Sequence, residues 1–297
     1  MDWRGRRQSS NVEDRRGEPV RAGGAPGLAL VLRVLPWLLR SRGGRVLLGV
    51  GVVAFVGARM LGIDILQVSP STGNVPASAT LATQEQELAE FVAVVLADTE
   101  ATWQRIFTAA GAVYEEPVLV LFSQRVASAC GSASSAVGPF YCPADRKVYL
   151  DLGFFRDLDR QLGAPGDFAQ AYVIAHEVGH HVQTLLGISQ QVRASGQGKS
   201  RAAVNALSVR QELQADCFAG VWGYAAQQFR QMLEPGDLEE ALQAASAIGD
   251  DRLQRRGGGD IVPDSFTHGT SAQRVEWFRR GFASGDMSEC DTFAADL

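Results

Sequence analysis

The sequence predicts an α+β domain in which helices dominate over a small sheet. Two short runs rich in branched and aromatic residues, Pro117–Phe122 and Lys147–Leu152, are typical of strands. Longer segments around them repeat apolar residues at the spacing of an amphipathic helix, and turn residues separate the segments. We therefore expect a single folded domain over residues 84–297, after a linker over residues 69–83 that is rich in Ser, Thr, Pro and Gly.

The helices follow from their start and stop signals. Asp167 is a candidate N-cap, and Gly187 is placed to end the helix that Asp167 begins. A polar stretch over residues 190–201 reads as a loop, and a glycine triplet over residues 257–259 ends the next-to-last helix. The predicted helices cover about residues 84–110, 167–187, 204–229, 237–254 and 271–282.

Composition and charge exclude several classes of protein. The 297 residues are 46% hydrophobic and 21% charged, which is inconsistent with a disordered chain, a collagen-like fibre or a polytopic membrane protein. The net charge of −5 hides an asymmetry, because residues 1–45 hold ten arginines and only four acids. The remaining residues are therefore strongly acidic, which argues against nucleic acid as a partner.

The N-terminal region predicts a membrane anchor. Residues 1–27 are polar and basic and read as a disordered cytoplasmic tail, and residues 28–68 are largely apolar. The uncharged run Val46–Ala58 is short for a spanning helix, but basic residues cluster on one side of it only. We expect a single-pass anchor in the lipid bilayer, with the N-terminus cytoplasmic and the domain extracytoplasmic. A buried soluble helix is the alternative, and a cleaved signal peptide fits the long basic region less well.

The main chemical signal is the pair His176 and His180, which flank Glu177 in the pattern HExxH. Two histidines four residues apart lie on one face of a helix and can bind one zinc ion. Glu177 is placed one position further round, where it can act as general base toward a water held by the metal. The alternative is a buried histidine pair bound to the backbone. The neighbouring His181 points away from the pair and reads as structural or surface-exposed.

A third zinc ligand is expected from the next helix. Glu212 and Asp216 are four residues apart and share a helical face. One of them can bind the metal while the other accepts a hydrogen bond from a ligand histidine. An ordinary solvated acidic face is the alternative. The cysteines lack the spacing of a zinc site.

The chain resembles the gluzincin metallopeptidases in its HExxH helix followed by an ExxxD helix. It is more closely similar to a bacterial family of neutral zinc metallopeptidases with a single membrane anchor. The matching stretches are Ser10–Gly17, His176–Gln183, Glu212–Trp222, Ala247–Arg252 and Asp264–Gly269. The resemblance implies a zincin-like fold and peptidase activity on peptides or proteins. We expect one Zn²⁺, with Glu212 as its third ligand and Asp216 as the acceptor of a hydrogen bond from a ligand histidine.

The resemblance also draws attention to His268, since gluzincins use a downstream histidine to stabilise the oxyanion. His268 is a candidate for that role, together with Arg274, and Tyr224 is a weaker alternative. Zincins bind substrate along a sheet edge, for which Lys147–Leu152 is the candidate. These expectations describe a membrane-anchored zinc endopeptidase. The alternatives are a catalytically dormant zinc-binding scaffold and a hydrolase of non-peptide amides, although a scaffold has no need of Glu177.

Four cysteines permit three pairings. Cys130 and Cys142 bracket a short turn region, which favours pairing them and leaves Cys217 with Cys290. Disulfides fit an extracytoplasmic domain. Buried free thiols are the alternative.

Overall fold

The computed structural model describes residues 1–18 and 79–296, of which residues 1–18 and 82–296 belong to one α+β unit. The helices and strands are β1 (Val12–Asp14), α1 (Ala79–Ala109), β2 (Val118–Phe122), β3 (Arg125–Ser128), β4 (Gly131–Ser134), β5 (Phe140–Cys142), β6 (Lys147–Asp151), α2 (Gly153–Arg160), α3 (Asp167–Leu185), α4 (Ile188–Gly196), α5 (Arg201–Arg230), α6 (Asp237–Ala247), α7 (Asp250–Arg256) and α8 (Ser271–Ser284).

The two strands predicted from the sequence are central to a four-stranded sheet with the order β1-β2-β6-β5. β1 and β6 both pair with β2 in parallel, and β5 pairs with β6 in antiparallel. β6 is therefore an interior strand, and the prediction that Lys147–Leu152 forms an open edge is wrong. Phe140–Cys142 is the edge on that side, while β3 and β4 form a separate hairpin.

The helices α3, α5 and α8 pack against one another around the main core. α5 and α8 approach very closely, since a Cβ added to Gly281 would lie 2.0 Å from the carbonyl oxygen of Cys217. On the other helix, a Cβ at Gly220 would lie 2.1 Å from the carbonyl oxygen of Phe278. Stacking of Phe168 on Trp222 fills the space between α3 and α5. Glycine at the crossing thus fixes where α8 lies.

Two helical predictions differ from the structure. Residues 188–196 form α4, whereas their polarity predicts a loop from residue 190 onward. Ser189 of this helix is buried, and Nε2 of Gln211 on α5 donates a hydrogen bond to its hydroxyl at 3.2 Å. The helix predicted over residues 237–254 is interrupted at Gly249. A Cβ there would lie 2.4 Å from the backbone nitrogen of Ser271, so the chain turns and α7 begins at Asp250.

Residues 1–18 are ordered against the domain, so the predicted disorder of residues 1–27 is wrong for this part. Met1 and Trp3 are buried, and β1 extends the sheet. Ser9 and Asn11 donate hydrogen bonds to the buried carboxylate of Glu100. Composition had suggested a solvated tail, but the few apolar side chains face the core while the arginines pair with nearby acids.

The N-terminal segment contacts the beginning of α1. Residues 1–18 and 82–297 belong to one unit, and Arg16 donates a hydrogen bond to the backbone oxygen of Glu85 at 3.0 Å. A single membrane crossing between these segments would place them on opposite sides of a bilayer and separate this contact.

The predicted apolar region 28–68 lies outside the described residues, as does most of the linker 69–83, whose last residues begin α1. Within residues 1–18 and 79–296, no helix combines the length and apolar character needed to cross a membrane.

Candidate active site

The site begins with the contact between α3 and α5. Gly179 lies between the two histidines of α3, and a Cβ there would lie 3.0 Å from the carbonyl oxygen of Ala215 on α5. The absence of a side chain lets the helices approach closely, with Glu212 opposite the histidine face. Glycine in the middle of HExxH is therefore a packing requirement in this chain.

Three predicted metal ligands converge there. The Nε2 atom of His176 lies 3.1 Å from one carboxylate oxygen of Glu212, and Nε2 of His180 lies 3.4 Å from the other. The three ligand atoms all lie within 4.8 Å of one another. Two imidazoles and one carboxylate on well-ordered helices are a donor set that suits zinc and leaves a position open for water or substrate.

The other nitrogen of each histidine is held by a different partner. Nδ1 of His176 lies 2.8 Å from Asp216, and Nδ1 of His180 lies 2.9 Å from the side-chain oxygen of Gln183. Carboxylate and amide oxygens are acceptors, so each Nδ1 carries a proton, and Nε2 is the nitrogen that can lose its proton and bind a metal in the ligand cluster. The structure therefore gives Asp216 the predicted neighbouring role and adds Gln183.

Asp216 is itself fixed by a buried network. Arg274 donates two hydrogen bonds to it, from Nε at 2.8 Å and from Nη2 at 2.9 Å, and the hydroxyl of Tyr172 donates a third. Burial alone would raise the pKa of Asp216, but the charges of Arg274 and His176 outweigh it and lower the pKa to about 2. Asp216 is a charged carboxylate at neutral pH.

Without a metal, the cluster holds protons tightly. Burial lowers the pKa of His176, but Asp216 and Glu212 outweigh burial and raise that pKa to about 10. The pKa of His180 is also raised, since the attraction of Glu212 exceeds the cost of burial. The pKa of Glu212 lies well below its usual value because the histidines overcome the effect of burial. The cluster thus attracts positive charge.

Glu177 lies in the wall of a cavity of about 750 Å³ that also exposes His176, His180 and Glu212. Its side chain is largely buried and makes no hydrogen bond or ion pair with any residue in the described part of the chain. A carboxylate beside the ligand cluster with uncommitted oxygens can accept a proton from a water molecule there.

His268 lines the same cavity. Asp250 accepts hydrogen bonds from the backbone nitrogens of residues 267, 268 and 269 and lies 3.1 Å from Nδ1 of His268. This hydrogen bond raises the pKa of His268 against the opposing effect of burial. Nδ1 is committed to Asp250, so Nε2 is the nitrogen available to the cavity. Arg274 also lines the cavity, but its guanidinium is bound to Asp216 and Tyr172.

Two other predicted residues lie elsewhere. His181 is buried and bonds the backbone oxygen of Glu115 at 2.6 Å and the hydroxyl of Tyr141 at 3.1 Å, so its role here is structural. The ring of Tyr224 packs against Phe229 and lies outside the cavity lining. Both predicted disulfides, Cys130–Cys142 and Cys217–Cys290, are present, so all four cysteines are paired.

Sequence reasoning missed Gln183, Tyr172 and Asp250. Gln183 had a local signal, because it follows His180 by three residues on the same helix, a spacing at which side chains meet. Asp250 lay within a stretch already singled out by resemblance. Tyr172 precedes His176 by four residues, but nothing in that spacing distinguishes it from a core aromatic.

A helix that presents two histidines and a free glutamate, facing a carboxylate from a second helix, is typical of zinc hydrolases. Comparison with known proteins agrees. Residues 1–293 match the family described as "Putative neutral zinc metallopeptidase", and the chain belongs to that family.

Two relatives illustrate the range of similarity. "Uncharacterized protein YpfJ" of Escherichia coli (strain K12) is 51% identical over 301 residues, which span 100% of both chains. "Uncharacterized protein Mb2605" of Mycobacterium bovis is 48% identical over 195 residues, which cover 62% of this chain and 65% of the relative. Among solved structures there is no significant match.

Proposed function

We propose that the protein is a peptidase that uses one zinc ion bound by His176, His180 and Glu212. The observation that carries this proposal is the convergence of the three ligand atoms beside the uncommitted carboxylate of Glu177 in one cavity. The family supplies the expectation of zinc and of peptide-bond hydrolysis.

Zinc at this site would polarise the scissile carbonyl and lower the pKa of a water molecule. Glu177 would take a proton from the attacking water and pass it to the leaving amine. His268 would donate a hydrogen bond from Nε2 to the oxygen that becomes negatively charged, and Asp250 would hold the ring in position. Tyr172, Asp216 and Arg274 would keep His176 in the correct tautomer.

The substrate would add to the edge strand Phe140–Cys142, whose Phe140 and Tyr141 line the cavity. Pairing with a strand edge uses the peptide backbone on both sides of the scissile bond, which supports an endopeptidase. Among the described residues of the cavity wall, the only cationic side chain besides His is Arg274, and Asp216 already binds it. No lysine or arginine in the described cavity wall is therefore free to hold a terminal carboxylate, and His268 is assigned to the oxyanion, which argues against a carboxypeptidase.

We further propose that the domain lies outside the cytoplasm, held at a membrane by the apolar residues 28–68. The two disulfides support an oxidising compartment. Since both flanks of the apolar region belong to one unit, any insertion must begin and end on the side of the domain. Replacing residues 28–68 with a Gly/Ser linker should release the protein from carbonate-washed membranes. Wild-type protein found in the soluble fraction would contradict the proposal.

The test of activity compares purified wild type with Glu177→Gln, Glu212→Ala and the control Glu239→Gln, an exposed position on α6. Wild type and the control should hydrolyse an unfolded protein carrying a self-quenched fluorophore. Glu177→Gln should bind zinc with wild-type stoichiometry and show no hydrolysis, whereas Glu212→Ala should lose the zinc. Full hydrolysis by Glu177→Gln would refute the mechanism. A wild type that binds zinc but cleaves no peptide or amide would favour the dormant scaffold.

A further inference from the structure

We propose that Gln183 and Gln214 are positioning residues for the zinc ligand His180, linked in a hydrogen-bonded chain that ends at the backbone of Cys290. The inference rests on the proposed zinc site. It identifies which residues orient the second ligand histidine.

The first link has a fixed direction. Nε2 of Gln183 donates to the backbone oxygen of Gln211 at 2.7 Å and to the side-chain oxygen of Gln214 at 3.0 Å. A backbone carbonyl can only accept, so the amide nitrogen must face α5. The amide oxygen therefore faces His180, where it lies 2.9 Å from Nδ1. Gln183 is fully buried, so no water competes for these contacts.

The second link repeats this constraint. Nε2 of Gln214 donates to the backbone oxygen of Cys290 at 3.0 Å, while its oxygen accepts from Gln183. Rotating either side-chain amide by 180° would place its oxygen against the backbone oxygen that its nitrogen now binds. Two acceptors would then face each other, and both would be buried without a donor. Each amide thus fixes the orientation of the next. A proton of His180 is thus held on Nδ1, which leaves Nε2 as the nitrogen that binds the metal.

The chain is anchored at its far end. Cys290 belongs to the C-terminal segment and is bonded to Cys217, which lies three residues after Gln214 on α5. The disulfide therefore holds the accepting carbonyl next to the helix that carries the donor. The path connects His180 on α3 to a covalent cross-link through two side chains.

The two ligand histidines are oriented differently. His176 is held by a charged carboxylate with its own arginine, and His180 is held by a neutral amide. Removal of the Gln183 amide leaves the formal charge of the site unchanged. Its loss should weaken zinc binding through orientation alone, without altering how zinc affinity depends on pH.

The experiment measures zinc dissociation constants by competition with a chromophoric chelator, using the full-length protein. Gln183→Met, of similar length but without an acceptor, should weaken zinc binding about 10–100-fold. Gln104→Met, an exposed position on α1, is the matched control and should bind zinc as wild type does.

The chain itself is tested with Gln214→Met and the double variant. Gln214→Met should weaken zinc binding less than Gln183→Met, and the double variant should be no weaker than Gln183→Met alone, since both act through one path. Wild-type zinc affinity in Gln183→Met would overturn the inference. So would additive losses in the double variant.

Thermal unfolding of the metal-free variants separates positioning from packing. A merely structural role would lower the melting temperature of metal-free Gln183→Met while its folded fraction bound zinc normally, and that result would overturn the inference. Failure of the proposed function is distinguishable. Wild type that binds no zinc would refute both proposals, whereas a normal zinc affinity in Gln183→Met with inactive Glu177→Gln would refute only this one.

Discussion

Replacing Arg274 with Met should destabilise the metal-free protein substantially. The side chain is 2% exposed, and it donates two hydrogen bonds to Asp216, which is fully buried, and one to the hydroxyl of Tyr172. Methionine fills similar space but leaves the carboxylate without its cation. Removing one partner of a buried ion pair costs about 3–5 kcal/mol, because the other charge stays buried and uncompensated.

The remaining contacts of Asp216 place the expected loss at the lower end of that range. Although burial opposes it, the pKa of His176 in the metal-free protein is raised to about 10, so this ring is charged at neutral pH and still faces Asp216. We therefore expect the free energy of unfolding to fall by about 3 kcal/mol. For a domain of this size that corresponds to a drop in melting temperature of roughly 6–12 °C.

The assay is thermal and denaturant unfolding of the metal-free protein at neutral pH, so that zinc does not contribute. Arg279→Met is the matched control, because Arg279 lies on the same helix and is exposed. The double variant Asp216→Asn with Arg274→Met should recover part of the loss, since no unpaired charge is then left buried. If Arg274→Met melts within about 2 °C of Arg279→Met, the buried pair does not stabilise the fold as argued.

Three other outcomes are expected. Zinc binding at pH 7 should release roughly one to two protons and strengthen as pH rises, because zinc binds neutral imidazole whereas the cluster raises the pKa of His176 to about 10 against the effect of burial. Calorimetry in buffers of different ionisation enthalpy measures the number of protons released, and zero release would contradict the charge assignment. Gly281→Ala should lower the free energy of unfolding by more than about 3 kcal/mol, since the new Cβ meets a backbone oxygen. Gly196→Ala has room for the Cβ and serves as the control. Equal melting temperatures for the two variants would show that α5 and α8 are not in such close contact. Removing the Cys217–Cys290 disulfide, which closes a span of 73 residues, should lower the free energy of unfolding by about 4 kcal/mol, as the loss of loop-closure entropy predicts. Urea unfolding of the double Cys→Ser variant measures this loss, and an unchanged midpoint would contradict the prediction.

The sequence predicted what depends on local spacing. His176, Glu177 and His180 lie on one helix, and Glu212 and Asp216 lie on another, so the periodicity of the helix alone shows which side chains share a face. Disulfide pairing of Cys130 with Cys142 was predictable for the same reason, since the two residues bracket a short turn. Features of this kind can be predicted without knowing how distant segments pack.

Features that depend on distant contacts were missed or misplaced. The interior position of β6 depends on where β5 pairs, which strand propensity does not reveal. Residues 1–18 looked like a solvated tail because their few apolar side chains are outnumbered, yet burying Met1 and Trp3 and adding one strand is enough to order the segment. Asp250 acts on His268, which lies 18 positions further along the chain, and no periodicity connects them.

The charges of the site explain why one ligand histidine faces a carboxylate and the other an amide. Glu177, Glu212 and Asp216 are formally anionic and Arg274 is cationic, which leaves the metal-free cluster two negative charges in excess. The pKa values of both ligand histidines are raised, which favours their charged forms and offsets this excess, and two protons on the two rings would neutralise it. A divalent zinc ion that displaces those two protons leaves the balance unchanged. A second carboxylate in place of Gln183 would break this equivalence and leave a buried negative charge with zinc bound, so a neutral amide is the partner that orients His180 without that electrostatic cost.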